Sequence, residues 1–177
     1  MNTSAQTQDS LPYREIPDYP ENYTAGSMVS RMVDGLGFRF YWATEGLREE
    51  DLAFRPTEES RSSEETIDHM FSMIHGITKT LSKFDKPELP ELSFEEKRAY
   101  ILNDLKTISF ILLESSDEDF DSYTIKLRNG ETLPFWNYVN GQIADCLWHC
   151  GQISSFRRMS GNPFSSKVNL FRGEVND

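Results

Sequence analysis

Apolar residues recur at three- and four-residue spacing in four separate stretches of this chain, and that period predicts four amphipathic helices. Met28, Met32, Leu36 and Phe40 place the first over residues 24–46. Ile67, Met70, Met73, Ile74, Ile77 and Leu81 define a second, opening near Ser62 because Ser62 and Glu65 have capping-box spacing. Ser93 and Glu96 repeat that signal ahead of Tyr100, Ile101, Leu105, Ile108 and Leu112, so a third helix runs over residues 93–115. The fourth begins at Pro134, a residue suited to a first helical turn, and carries Phe135, Val139, Ile143, Cys146, Cys150 and Ile153. It stops at Gly161-Asn162-Pro163.

The links between these stretches are short. Residues 47–60 read as a connection with Pro56, and Pro87 and Pro90 interrupt the next one. Residues 116–121 are dense in acid and read as a solvated loop. Residues 123–127 and 131–133 flank an Asn129-Gly130 pair, a strong hairpin-turn signal. The expected class is therefore all-α: an up-down-up-down four-helix bundle over residues 24–161, with a short β-hairpin before the last long helix. Residues 1–23 form an irregular N-terminal arm that Tyr13, Ile16 and Tyr19 could pin to the bundle. Residues 162–177 form a tail that Val168, Leu170 and Phe171 pack onto it.

Composition narrows the partners. At 177 residues the chain fits one domain, and 29 acidic against 18 basic residues leave a net charge of -11. That balance repels phosphate backbones and anionic bilayers, so no nucleic acid and no membrane are expected as partners. No apolar run approaches the roughly 20 residues of a membrane span. Residues 1–10 are polar, without the apolar core of a secretory signal, so the cytoplasm is the expected location. Cys146 and Cys150 sit four apart on one helix, a poor geometry for a disulfide, and read as reduced core residues.

The candidate chemistry lies in the fourth helix. Asp145 and His149 are one turn apart, about 100° and 60° from the centre of the apolar stripe, and Gln142 and Gln152 flank the same edge. On the second helix His69 aligns with Met73, Gly76 and Thr80 beside the apolar face, whereas His75 points nearly opposite, towards solvent. Imidazole and carboxylate are ligands for divalent ions, and three of them leave a position open for a substrate. The same spacing also describes a hydrogen-bonded couple that steadies two helices. A pairing of Cys146 with His149 is a further option. Arg157 and Arg158 answer the helix macrodipole or nearby acids, and residues 117–121 lack the glycine and spacing of a calcium loop.

Three segments taken in order, residues 47–56, 62–69 and 145–153, resemble the DinB-like superfamily of bacterial four-helix-bundle proteins, and the likeness covers about residues 24–161. The resemblance implies a divalent metal ion, most often nickel or zinc, held by His69, Asp145 and His149, with Asp145 standing where histidine is usual. Gln142 and Gln152 would support those ligands. It implies a metal-dependent transferase or isomerase acting on a small-molecule substrate with a low-molecular-weight thiol. It also implies a homodimer, which the apolar excess on helix one would permit. Two other readings stand beside it: a metal-dependent hydrolase, and a non-catalytic bundle whose polar triad is only hydrogen-bonded.

Overall fold

The second and third long helices each begin on a serine whose side chain answers the orphan amides of its first turn. In a computed structural model describing residues 11–82 and 91–176, α1 spans Ala25–Thr44, α2 Glu49–Ala53, α3 Ser63–Ser82 and α4 Phe94–Glu114. Residues 1–10 and the connection bearing Pro87 and Pro90 lie outside the described residues. Ser62 Oγ accepts from the Glu65 amide at 3.2 Å while Glu65 accepts from the Ser62 amide at 2.7 Å. Ser93 and Glu96 repeat the exchange. Thr24 and Ser27 open α1 with the same reciprocal pair.

The structure is mostly helical, and its long helices pack as α1 on α4, α3 on α4, α1 on α6 and α3 on α6, where α6 is Ala144–Met159. Contact positions give the directions. Arg98, early in α4, bonds Thr44 at the end of α1, and Gly26 near the start of α1 meets Leu112 late in α4, so these two are antiparallel. Lys97 pairs with Asp68, and Tyr100 touches Phe71 and His75, so α3 and α4 run parallel. Tyr138 reaches Thr80 while His149 meets His69, which makes the last helix antiparallel to α3. The order is thus up-down-down-up, not the expected up-down-up-down. The reason lies in the partners near the start of α4: Arg98 seats on the end of α1, and Lys97 beside it pairs with Asp68 early in α3.

Other expectations are also corrected. The connection over residues 47–60 contains α2. The acidic run is a short helix, α5 (Asp117–Ser122), because Ser116 caps the amide of Asp119 and three carboxylates sit in its first turn. Strands β1 (Ile125–Lys126) and β2 (Thr132–Leu133) pair antiparallel before the last helix. The tail forms a second antiparallel pair, β3 (Val168–Asn169) with β4 (Glu174–Val175). Val168 packs against the core, but Leu170 and Phe171 are exposed. In the arm, Tyr13 is buried against Gly37, where a Cβ would come within 2.4 Å of its ring, whereas Tyr19 is exposed. The apolar excess of α1 is spent inside: Val33, Leu36, Phe38, Phe40, Tyr41 and Trp42 are all buried. The large exposed apolar side chains of the last helix are Trp136, Trp148 and Met159.

The last helix is not uniform. Over Tyr138–Ile143 a π turn bridges a kink: Gly141, at φ -100, ψ -106, lies outside helical φ/ψ. The helical phase is not continuous across it, and Tyr138 is buried where an unbroken α-helical period selects Val139.

A second polar knot holds α2 to the end of α6. Asp51 is fully buried and accepts from Arg48 Nε at 2.9 Å, Ser160 Oγ at 2.5 Å and Asn162 Nδ2 at 2.7 Å. The Arg48 hydrogen bond, ahead of those from Ser160 and Asn162, holds its carboxyl well below the usual carboxylate range, against the opposing effect of burial. A carboxyl lowered in the folded state stabilises the fold above its unfolded pKa of about 3.9, and that stability is lost as pH falls through the folded value. Asp51→Asn is therefore expected to cost about 2–3 kcal/mol at pH 7. In urea titrations at stepped pH, the gap to the unmodified protein should narrow below about pH 4.

Candidate metal centre

His69 lies in the second turn of α3, and Asp145 and His149 lie one turn apart on α6, immediately after the π turn. The antiparallel packing of α3 on α6 brings all three together. Asp145 Oδ2 is 3.6 Å from His69 Nε2 and 3.4 Å from His149 Nε2, and the three ligand atoms lie within 4.8 Å of one another. The imidazoles meet edge to face with ring centroids 5.2 Å apart. Two ligands bound at about 2.0–2.1 Å with tetrahedral angles are separated by about 3.4 Å. Both distances to the carboxylate fall near that value.

The hydrogen-bonding pattern states what is missing. His149 Nδ1 is 2.5 Å from Gln152 Oε1, an oxygen that only accepts, so Nδ1 carries the ring hydrogen. Nε2 is then a lone pair, and it is buried without a hydrogen-bond partner. The nearest polar atom is another acceptor, Asp145 Oδ2. Two facing acceptors of this kind, with the His69 ring beside them, are satisfied by a cation between them, and the Gln152 contact is the arrangement that commonly fixes the tautomer of a metal-binding histidine. Exposure is graded: the side chain of His149 is 11% accessible, those of His69 and Asp145 35% and 45%. The donor set therefore has a protected root and an open mouth, and the residues present fit a divalent ion.

A cleft of ≈ 430 Å³ adjoins the protected side, lined by Pro56, Ser60, Arg61, Thr66, Gln152 and Phe156 together with His149. Apart from Gln152, the sequence carries no spacing signal for these cleft residues, because they come from the α2–α3 link, the first turn of α3 and the far end of α6. Gln142 behaves differently from Gln152. Its Oε1 is buried in the π turn without a partner, and it makes no hydrogen bond to the three site residues. His75 does not face solvent as the helical wheel suggests; it is half-buried beside the rings of Phe71 and Tyr100. Cys146 and Cys150 are buried and stand outside the ligand group, and burial, first among the causes, pushes both thiols up in pKa. Neither is poised as a thiolate ligand.

Comparison with known proteins adds no name. No family model matches the chain, no curated protein matches it, and no solved structure matches it. The site stands on its geometry.

Gln152→Leu keeps the helix and removes only the acceptor at Nδ1, and should weaken zinc or nickel binding about 10–100-fold. Competition titration against a chromogenic chelator reads this directly. Asp145→Asn, which deletes the charge but keeps an oxygen, should weaken binding further than Gln142→Leu, which should leave it unchanged.

Proposed function

We propose that this chain is a DinB-like divalent-metal protein in which His69, Asp145 and His149 hold a nickel or zinc ion for a thiol-linked transfer reaction on a small molecule. The single observation that carries the reading is the buried, partnerless Nε2 of His149, which faces a carboxylate with its other nitrogen tied to Gln152. A bound ion would supply Lewis acidity that lowers the pKa of a thiol in the open position. The chain's own residues divide the remaining work. Gln152 fixes the ring of His149. Asp145 contributes the negative charge that offsets the ion, and its exposed edge leaves the incoming group a way in. Pro56 and Phe156 give the adjoining cleft an apolar wall, while Ser60, Thr66 and Arg61 give it polar contacts. That mixture suits a small organic substrate with one polar end.

The expected setting is the cytoplasm. No described helix is long and apolar enough to cross a membrane. A homodimer would use the uncovered apolar residues Trp136, Trp148 and Met159 of the last helix.

A second reading has its own support. The two nitrogen–oxygen distances of 3.4 and 3.6 Å are within ion-pair range, so a proton on either imidazole would also relieve the facing acceptors. In that case the triad is a hydrogen-bonded clamp between α3 and α6. Metal analysis of protein purified without chelating resin separates the two. The metal reading expects close to one equivalent of ion per chain, lost in His69→Ala and in His149→Ala; a wild type that stays metal-free in the presence of excess zinc and nickel sinks it. With metal present, screening transfer to electrophiles with and without low-molecular-weight thiols distinguishes transferase from hydrolase: thiol dependence supports the first, turnover in water alone the second.

A further inference from the structure

The cleft that adjoins the metal centre has no carboxylate in its lining, although the chain carries 29 acidic residues. With His149 the neutral ring that its Gln152 contact sets, Arg61 is the one charge the cleft offers. Coulomb attraction would give that arginine an acid from its own segment, since Glu58, Glu59, Glu64 and Glu65 flank it in sequence. None of them takes it. Glu65 pairs with Arg55 at 3.3 Å and accepts from the Ser62 amide at 2.7 Å. Arg61 forms no ion pair and no side-chain hydrogen bond among the described residues.

An exposed guanidinium elsewhere would be a solvated charge and nothing more. This one shares its cleft with His149, which is only 8% exposed and whose Nε2 is buried without a partner. A place already short of a ligand therefore has a positive charge in its wall. The hydroxyls of the lining are committed: Thr66 Oγ1 donates to Ser62 O at 2.7 Å, and Ser60 Oγ lies 2.7 Å from Thr57 Oγ1. Gln152 turns its oxygen to His149 and keeps its amide N–H groups. What the lining has to spare is donors and a cation, the complement of a group that only accepts and is negative. One guanidinium matches one carboxylate, whereas a phosphate dianion brings more charge than the cleft answers in a chain at -11. Pro56 and Phe156, the latter beside the Phe54 ring with centroids 5.8 Å apart, give an apolar wall for the carbon skeleton. The volume of ≈ 430 Å³ is at the small end of ligand clefts, about 300–1,000 Å³.

Resting on the metal reading above, we propose that the substrate of this site is a small organic carboxylate, its charge met by Arg61 and its reacting end at the open position beside His149. Arg61 is then a specificity residue: it selects the charge of the molecule and takes no part in holding the ion.

Calorimetric titration of the zinc-loaded full chain with 4-mercaptobutyrate and with its neutral amide, 4-mercaptobutyramide, tests this. The thiol anchors both probes at the ion, so the two differ only at the end that Arg61 would meet. The acid should bind about tenfold tighter than the amide. Arg61→Gln, an exposed change, should bring the acid down to the amide while zinc affinity, read by chelator competition, stays as in wild type. Arg61→Lys should keep part of the preference, and Glu64→Gln should leave it intact. An acid that binds no tighter than the amide, a preference that survives Arg61→Gln, or inorganic phosphate that displaces the acid at equal concentration overturns the proposal. Loading is measured first, which separates the two failures. A chain that takes up neither zinc nor nickel sinks the metal reading and this one with it, whereas a chain that loads zinc and ignores the carboxylate leaves the metal centre standing.

Discussion

A buried helix end must find hydrogen-bond donors inside the protein, and the end of α1 is such a place. Its last turn is covered by the other helices, so the carbonyls of Tyr41, Trp42 and Ala43 cannot turn to water. Two arginines supply the donors. Arg98 of α4 reaches Tyr41 O and Thr44 Oγ1 and pairs with Glu45, while Arg157 of α6 reaches Trp42 O at 2.9 Å and Ala43 O at 3.2 Å. Burial lowers the Arg157 pKa, with Asp51 and Glu45 acting in the opposite direction. These bonds fix how far α4 and α6 slide along α1. His149 is eight residues before Arg157 on α6, so the axial position of the imidazole is set about 12 Å away, at the end of a different helix.

The second pin is on α3. Tyr138 donates to Thr80 at 2.6 Å at one end of the α3–α6 pair, and His69 meets His149 at the other. Tyr138 stands just ahead of the kink at Gly141, and its ring is buried on the α3 side. Between two such pins the α6 segment has little freedom, which is how the lone pair of His149 Nε2 can be held 3.4 Å from a carboxylate oxygen. Their mutual repulsion is borne by packing, by Ile143, Cys146, Cys150 and Ile153 buried on the same helix. The outer wall of the site is looser, since His69 and Asp145 are half-exposed.

Much of this was legible in the residues. The capping pairs Ser62 with Glu65 and Ser93 with Glu96 marked helix starts to within a residue, because a reciprocal cap is a local event that needs no tertiary partner. Choosing His69 over His75 needed only the helical period. What was hidden depended on distant contacts. The direction of α4 rests on Arg98 with Thr44 and Lys97 with Asp68, contacts that no helical period displays. The kink at Gly141 had a signal, a glycine inside an otherwise helical stretch, that the apolar period passed over. Arg157 looked like an answer to a helix dipole or nearby acids, yet besides Asn162 O it bonds Trp42 O and Ala43 O on α1, more than a hundred positions away. The acidic run 117–121 was judged by its charge alone, and charge concealed the Ser116 and Asp119 cap that makes it helical.

Asp145 gives the site its particular character. Both imidazole nitrogens are measured to the same oxygen, so the carboxylate is the shared corner of the group and its one full charge. Three imidazoles would leave a divalent ion with its charge undiminished, whereas a carboxylate halves it. A single bound anion, such as a thiolate, would then make the whole assembly neutral, which lowers the cost of closing a substrate over it in a cleft with apolar walls. The same carboxylate moves the donor set towards harder ions than three nitrogens would select. In a chain already at -11, a site that held a cation through charge as well as through nitrogen lone pairs would attract it from a distance, and salt would weaken the attraction at the half-exposed mouth more than at the buried root.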